Sequence, residues 1–190
     1  MLTVGGFDYS IRSDYRNVLQ AFEAFQDPEL AQEEKWIVAI YLLFEDFSCA
    51  DDVLRAAESG FNLQEAMERM EWFISAGKPE RKSPERPTYS WKQDEQMIFS
   101  AINKVAGKEI RGSEYIHWWT FLGYFNEIGE GTFSYVVGIR NKLNKGKKLE
   151  RDEKEFLSRN KDVVRLERPK SEEEKEKEEA YQRLLDEVLG

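Results

Sequence analysis

The chain has 190 residues, 41% of them hydrophobic and 13% aromatic, and carries a formal charge of −9. That much apolar material can build the core of one medium domain or two small ones, which excludes wholesale disorder. No apolar run is long enough for a transmembrane helix, and the acidic balance opposes approach to phosphate, which argues against a general nucleic-acid binder.

The charge is uneven. Residues 1–139 carry 13 basic and 23 acidic side chains, residues 140–170 carry 12 and 6, and residues 171–190 carry 3 and 8. The start, "MLTVGGFDYS", lacks the basic and apolar segments of a signal peptide. Cys49 stands alone, so no intrachain disulfide can form, which fits a reducing compartment.

In chain order, "LTVGGFDYSI" reads as two short strands turning at Gly5-Gly6. Ser13 or Asp14 can cap a helix with Val18, Phe22 and Phe25 on one face. "DPEL" offers a second start, with Pro28 in a first turn. The helix after it carries Trp36, Ile37, Ile40, Tyr41, Phe44 and Phe47 at helical spacing. A short helix runs from about Ala50 to Ser59 and ends at Gly60. Another carries Leu63, Ala66, Met67, Met70, Phe73 and Ile74, stopped by Gly77 and Pro79. "GKPERKSPERPTYS" holds Pro79, Pro84 and Pro87 and should run extended over the surface as a linker. Ser90 and Gln93 form a capping box for a helix with Ile98, Ala101, Ile102 and Val105, closed by Gly107. Helices follow in "TFSYVVGIRNKL" and "KLERDEKEFLSRN". Ser171 and Glu174 form a second box for a last segment whose Tyr181, Leu184, Leu185 and Val188 recur at helical spacing.

The expected fold is therefore mainly α, a multi-helix bundle with a short N-terminal β-hairpin. Its expected parts are the hairpin plus helices (1–76), a Pro-rich linker (77–90), a C-terminal helical half with an aromatic core helix (91–160), and a charged tail ending in an amphipathic helix (161–190).

The densest signal is "EYIHWWTFLGYFNEI", residues 114–128, with six aromatic rings and the single histidine. On a helix capped at Ser113, Tyr115, Trp118, Trp119, Leu122 and Phe125 share one face. His117, Phe121, Tyr124 and Ile128 line a second, and a narrow wedge at Thr120, Gly123 and Glu127 is polar. A helix apolar nearly all round is either the centre of its own half or offers one stripe to a partner. Trp91, Trp118, Trp119 and Phe125 are the candidate core aromatics. His117, Phe121, Tyr124 and Ile128, with the tail stripe Tyr181, Leu184, Leu185 and Val188, are the candidate partner-binding residues. Gly123 suits a close helix–helix approach.

Signatures of catalysis do not appear. "LNKGKKLE" has no Ser or Thr after its lysine and no glycine at the spacing of a phosphate loop, and neither GxGxxG nor GxSxG occurs. His117 has no evident nucleophile or carboxylate partner. One histidine and one distant cysteine do not make a metal site. No enzyme activity, catalytic residue, metal or cofactor is expected. The basic run 140–170 contains only Phe156 among its charges, whereas single-strand binders interleave aromatics with lysines and arginines.

The ordered set Trp91, Asp94, Ile98, Ala101, Ile110, Arg111, then His117, Trp118, Trp119, Phe121, then Ile139, Arg140, Lys142, Phe156 and Asn160 resembles the bacteriophage gene-product-fifteen family of long-tailed siphophages. "DYRNVL" after the hairpin adds to it. The resemblance covers about residues 1–160. The genes of that family stand between those of the tail tube and the tape measure. The resemblance therefore implies a non-enzymatic tail assembly chaperone, acting in the cytoplasm of the bacterial host. Its implied partner is the tape measure protein, with the tail tube, a second assembly chaperone or another copy of itself as further partners. The alternatives are a minor structural tail protein retained in the virion and a nucleic-acid-binding regulator acting through residues 140–170.

Overall fold

A computed structural model describes residues 1–78 and 86–167, together with residues 170, 171, 174, 176, 177 and 179. The tail stripe of Tyr181, Leu184, Leu185 and Val188 lies outside the described residues, as do the prolines at 79 and 84.

The chain opens with β1 (Leu2–Val4) and β2 (Phe7–Tyr9), paired antiparallel with Leu2 opposite Tyr9 and Val4 opposite Phe7. Gly5 and Gly6 hold φ at 58° and 81°. A two-residue hairpin turn needs this left-handed backbone, which glycine adopts without a Cβ clash. An isolated hairpin is marginal in water. Here β1 lies against α4 (Leu63–Ile74), and the Gly5 N–H donates to Glu65 Oε2 at 2.8 Å.

Among the described residues the rest is helical: α1 (Tyr15–Gln26), α2 (Gln32–Leu43), α3 (Ala50–Glu58), α4, α5 (Glu95–Ala106), α6 (Trp118–Asn126), α7 (Thr132–Asn144), α8 (Arg151–Arg159) and the four-residue α9 (Lys161–Val164). The molecule is thus mainly α with an N-terminal hairpin, as its periodicity predicts.

Helix ends follow local chemistry. The Asp14 carboxylate accepts from the Arg16 N–H and caps α1, and Asn62 accepts from the Glu65 N–H to cap α4. Pro28 sits in the turn before α2 rather than in its first helical turn, and the Ala31 N–H is capped by the Glu34 carboxylate. The α2 stripe was expected to run through Phe44 and Phe47, but the helix ends at Leu43. Arg12 explains the stop. Its guanidinium donates to the carbonyls of Tyr41 (2.7 Å) and Phe44 (2.6 Å), in the last turn and at the cap of α2, where a helix leaves oxygens without partners, and beyond them to those of Glu45 (3.4 Å) and Phe47 (3.1 Å). Phe44 and Phe47 are buried beyond the helix, around the Tyr9 and Phe61 rings.

Ser90 accepts from the Gln93 N–H as the capping box requires, but the return bond to the Ser90 N–H comes from the Asp94 carboxylate at 2.9 Å. The Gln93 side chain instead accepts from the Glu167 N–H and donates to the Arg165 carbonyl. The second box forms as read: Ser171 N–H donates to Glu174 Oε2 and Glu174 N–H to Ser171 Oγ.

The two halves are not insulated by the linker. One core contains Val18, Ile40 and Met70 from the first and Ile98, Ile102 and Phe121 from the second. The end of the proline-rich segment joins it, with the Tyr89 ring packed on Trp91, Phe125 and Phe133. Burial of Tyr89 pushes its phenol pKa up. The charged tail also starts later than residue 161. Val164 is buried in a smaller cluster with Ile139 and Leu149.

The bond that fixes this C-terminal assembly is buried and ionic. Arg140 on α7 is 4% exposed and Asp94, at the start of α5, is 1% exposed. Nη1 and Nη2 donate to the two Asp94 oxygens at 2.6 and 2.9 Å. The remaining donors reach the carbonyls of Val164 (2.7 Å), Val163 (2.6 Å) and Thr88 (3.1 Å). All five guanidinium protons are used. Removing one partner of such a pair leaves an uncompensated buried charge, so Arg140→Met should cost about 3–5 kcal/mol. Adding Asp94→Asn to that variant should recover part of the loss. Urea denaturation checks this; an unchanged midpoint in the single variant would contradict it.

Candidate protein-docking surface

The aromatic stretch is a strand-like lead followed by a short helix, not one helix from residue 114. Residues 115–117 run extended before the helix, and Ile116 and His117 pair with the start of α1. The Tyr15 N–H donates to the Ile116 carbonyl at 3.0 Å, the Trp118 N–H to the Ser13 carbonyl at 2.7 Å, and the Ile116 N–H to Asp14 Oδ2 at 2.9 Å. One carboxylate thus caps α1 and anchors the lead of α6. Arg16 braces the joint by donating to Asp14 and to the carbonyls of Arg111 and Ser113. Ser113 therefore does not cap the aromatic helix.

His117 is the cap. Its Nδ1 accepts from the Trp119 N–H at 3.1 Å, and its ring meets Phe73 and Trp119 edge-on. With Nδ1 engaged as an acceptor, the proton of the neutral ring is assigned to Nε2. A histidine at this position shapes backbone. Among the described residues no group of three or more His, Cys, Asp or Glu side chains could hold a metal ion, and no helix is long and apolar enough to cross a membrane.

The helix starts four residues later than expected, at Trp118, and packing buries a side that lies between the two expected faces. Trp118 is 1% exposed and sits against Phe22, Trp91 and Phe121. Its indole N–H donates across to the Ile74 carbonyl at 2.8 Å, at the end of α4. Phe121, expected on a partner-facing stripe, is fully buried, stacked 4.5 Å from Tyr15. It belongs to the core and cannot meet a partner. His117, Tyr124 and Ile128 are half-buried, and the last two pack against the core. Trp91 and Phe125 are half-buried within the same aromatic group, 4.7 Å apart.

Trp119 was expected in the core and is not. It is 39% exposed. Its indole N–H donates to the Phe73 carbonyl at 2.8 Å, its ring lies over Phe73, and Trp72 meets it edge-on at 5.6 Å. Trp72 is itself 50% exposed. The chain turns back against it: the Gly77 N–H donates to the Trp72 carbonyl, and a Cβ at Gly77 would stand 3.4 Å from the indole nitrogen. Gly77 has φ of 72°, so glycine suits both the backbone and the close ring. Two indoles are thus held in place and left in solvent. Sequence periodicity could not find this pair, because Trp72 and Trp119 lie on different helices and meet only when α4 and α6 pack.

The polar wedge Thr120, Gly123 and Glu127 is exposed, as its position on the helix predicts. Gly123 supports no close approach within the molecule: a Cβ there would meet nothing within 4 Å.

The basic run is less free than its count suggests. Arg140 is enclosed, and Lys142 Nζ contacts Glu153 Oε1 at 2.6 Å. The hydrogen bond from Lys142 and the Glu150 N–H hold the Glu153 carboxyl below its usual range, and Glu153 raises Lys142 in return.

These features define a helical protein whose most distinctive surface is a rigid exposed tryptophan pair. The family described as Bacteriophage Gp15 protein matches residues 1–166, and the chain belongs to that family. No curated protein and no solved structure matches it.

Two stability outcomes follow from burial. Trp118→Ala should cost about 3–5 kcal/mol, whereas Trp119→Ala should lower the melting temperature far less; equal losses would contradict the assigned exposures. Gly123→Ala should raise stability by about 0.5–1 kcal/mol, because the site is helical and open and alanine loses less backbone entropy. Thermal melts followed by circular dichroism check both, and a destabilised Gly123→Ala protein would show that the site is not open.

Proposed function

We propose that this protein is a non-enzymatic assembly chaperone of the phage tail, acting in the host cytoplasm, which binds the tape measure protein while the tail is built. The observation that carries this reading is the Trp72–Trp119 pair in a chain of a phage family. Large exposed aromatics are unfavourable in an isolated soluble protein and are enriched where proteins meet. A side chain already held in its bound conformation loses little entropy on contact.

A tape measure is a very long helical chain with apolar stripes. Before a tube encloses it, such stripes associate with one another. A small acidic protein that covers a stripe with aromatic rings keeps the complex dispersed through its net charge of −9. Tube polymerisation must later displace it, which requires contacts of modest size. Tail tube subunits, a second assembly chaperone and self-association remain further candidate contacts of the same kind.

Co-expression with the tape measure encoded in the same phage, followed by affinity capture, tests this. The expected outcome is a soluble complex in lysate and no copy of this protein in purified virions. Recovery from virions at fixed stoichiometry would favour a minor structural tail protein, and a tape measure equally soluble and uncaptured would overturn the proposal.

A further inference from the structure

We infer that the outer side of α6, from Trp119 through Gly123 to Glu127 and walled by Trp72, is the docking face for a cationic amphipathic helix of the partner. This rests on the proposed role as a binding protein and adds where the partner sits and what chemistry it presents.

Three observations converge. Trp119, Gly123 and Glu127 follow one another at a spacing of four, so they form one ridge on the exposed side of α6. At the middle of that ridge Gly123 has no side chain, and nothing lies within 4 Å of where one would project. A second helix can therefore approach the α6 backbone closely there. At the head of the ridge Trp119 is tied to Phe73, and Trp72 beside it, backed by Gly77, forms a fixed wall.

Charge selects the occupant. Glu68 lies one turn before Trp72 on α4, Glu71 directly precedes it, and Glu127 closes the α6 ridge. None of the three has a cationic partner among the described residues. Arg69 is paired to Glu65, and Lys78 is the cation that follows the Gly77 turn. The face thus combines two exposed indoles with an excess of uncompensated carboxylates. Lysine or arginine flanking an apolar stripe satisfies both, meeting indole faces by cation–π attraction and carboxylates by ion pairing. An acidic helix would meet repulsion at the same positions, which separates the partner from the acidic segment 171–190 of this chain and of its copies.

The test uses the full-length protein and two synthetic 18-residue peptides that form amphipathic helices, one Leu/Lys and one Leu/Glu. Binding is followed by calorimetry and by the indole N–H resonances of Trp72 and Trp119. The Leu/Lys peptide should bind and shift both resonances, and the Leu/Glu peptide should do neither. Trp72→Ala keeps the net charge and should weaken Leu/Lys binding at least tenfold. Gly123→Leu should weaken it comparably while the helical circular dichroism is retained. Unchanged affinity in both variants would overturn the assignment, since attraction to net charge alone would then suffice. Preference for the Leu/Glu peptide, or conversion of a dimer to a monomer by Trp72→Ala, would also overturn it, by making the occupant an acidic segment or a second copy. Tape measure captured equally by wild type and Trp72→Ala would leave the chaperone role standing and remove this face. Binding of the Leu/Lys peptide without capture of the tape measure would do the reverse.

Discussion

Burial of the Arg140 guanidinium against Asp94 is the constraint on which the C-terminal architecture depends. A buried ion pair is tolerated only when every remaining proton finds an acceptor. Here three of the five acceptors of that guanidinium are main-chain carbonyls from separate pieces of chain: Val163 and Val164 at α9, and Thr88 in the segment entering α5. Satisfying one side chain therefore fixes where α5, α7, α9 and the end of the proline-rich segment sit. The same carboxylate caps the turn before α5 through the Ser90 N–H. A hydrophobic pair of similar volume would fill the space but could not choose among those four pieces of backbone.

The joint between the halves uses the same device with a different acid. Asp14 caps α1 and holds the Ile116 N–H, while Arg16 spans to the carbonyls of Arg111 and Ser113. Behind it, Trp118 fills the core and donates to the end of α4. Because α1, α4 and α6 meet there, the position of the exposed indoles is set by buried contacts. Trp119 follows Trp118 in the chain and Trp72 precedes Phe73, so each solvent-facing ring is adjacent to a buried one. Rigidity of the outer pair is inherited from the inner one. A rigid and small contact favours recognition without a large buried area.

The helical class, the hairpin at Gly5-Gly6, the extents of α3 and α4 and the second capping box were legible in the sequence. Each rests on interactions within a few residues, namely apolar spacing, glycine backbone freedom and side-chain caps. The polar wedge of α6 was legible for the same reason. Family membership was legible too, because the order of Trp91, Asp94, the His117-Trp118-Trp119 group and Arg140 survives as a linear pattern. Asp94 and Arg140 appeared there as matching letters, without any sign that they form the buried pair.

Tertiary structure alone decided the rest. Whether Trp118 or Trp119 would be inside depended on which side of α6 meets the core, and that was set by contacts with α1 and the end of α4, distant in the chain. The helical period separated Phe121 from Trp119, as the structure has them, but could not say which of the two sides was buried. The end of α2 was likewise decided by Arg12, whose reach to four carbonyls no local pattern encodes. Local periodicity determines that a segment is amphipathic. Which of its sides meets the core depends on partners distant in the chain, because burial is a property of the packed assembly and not of the segment.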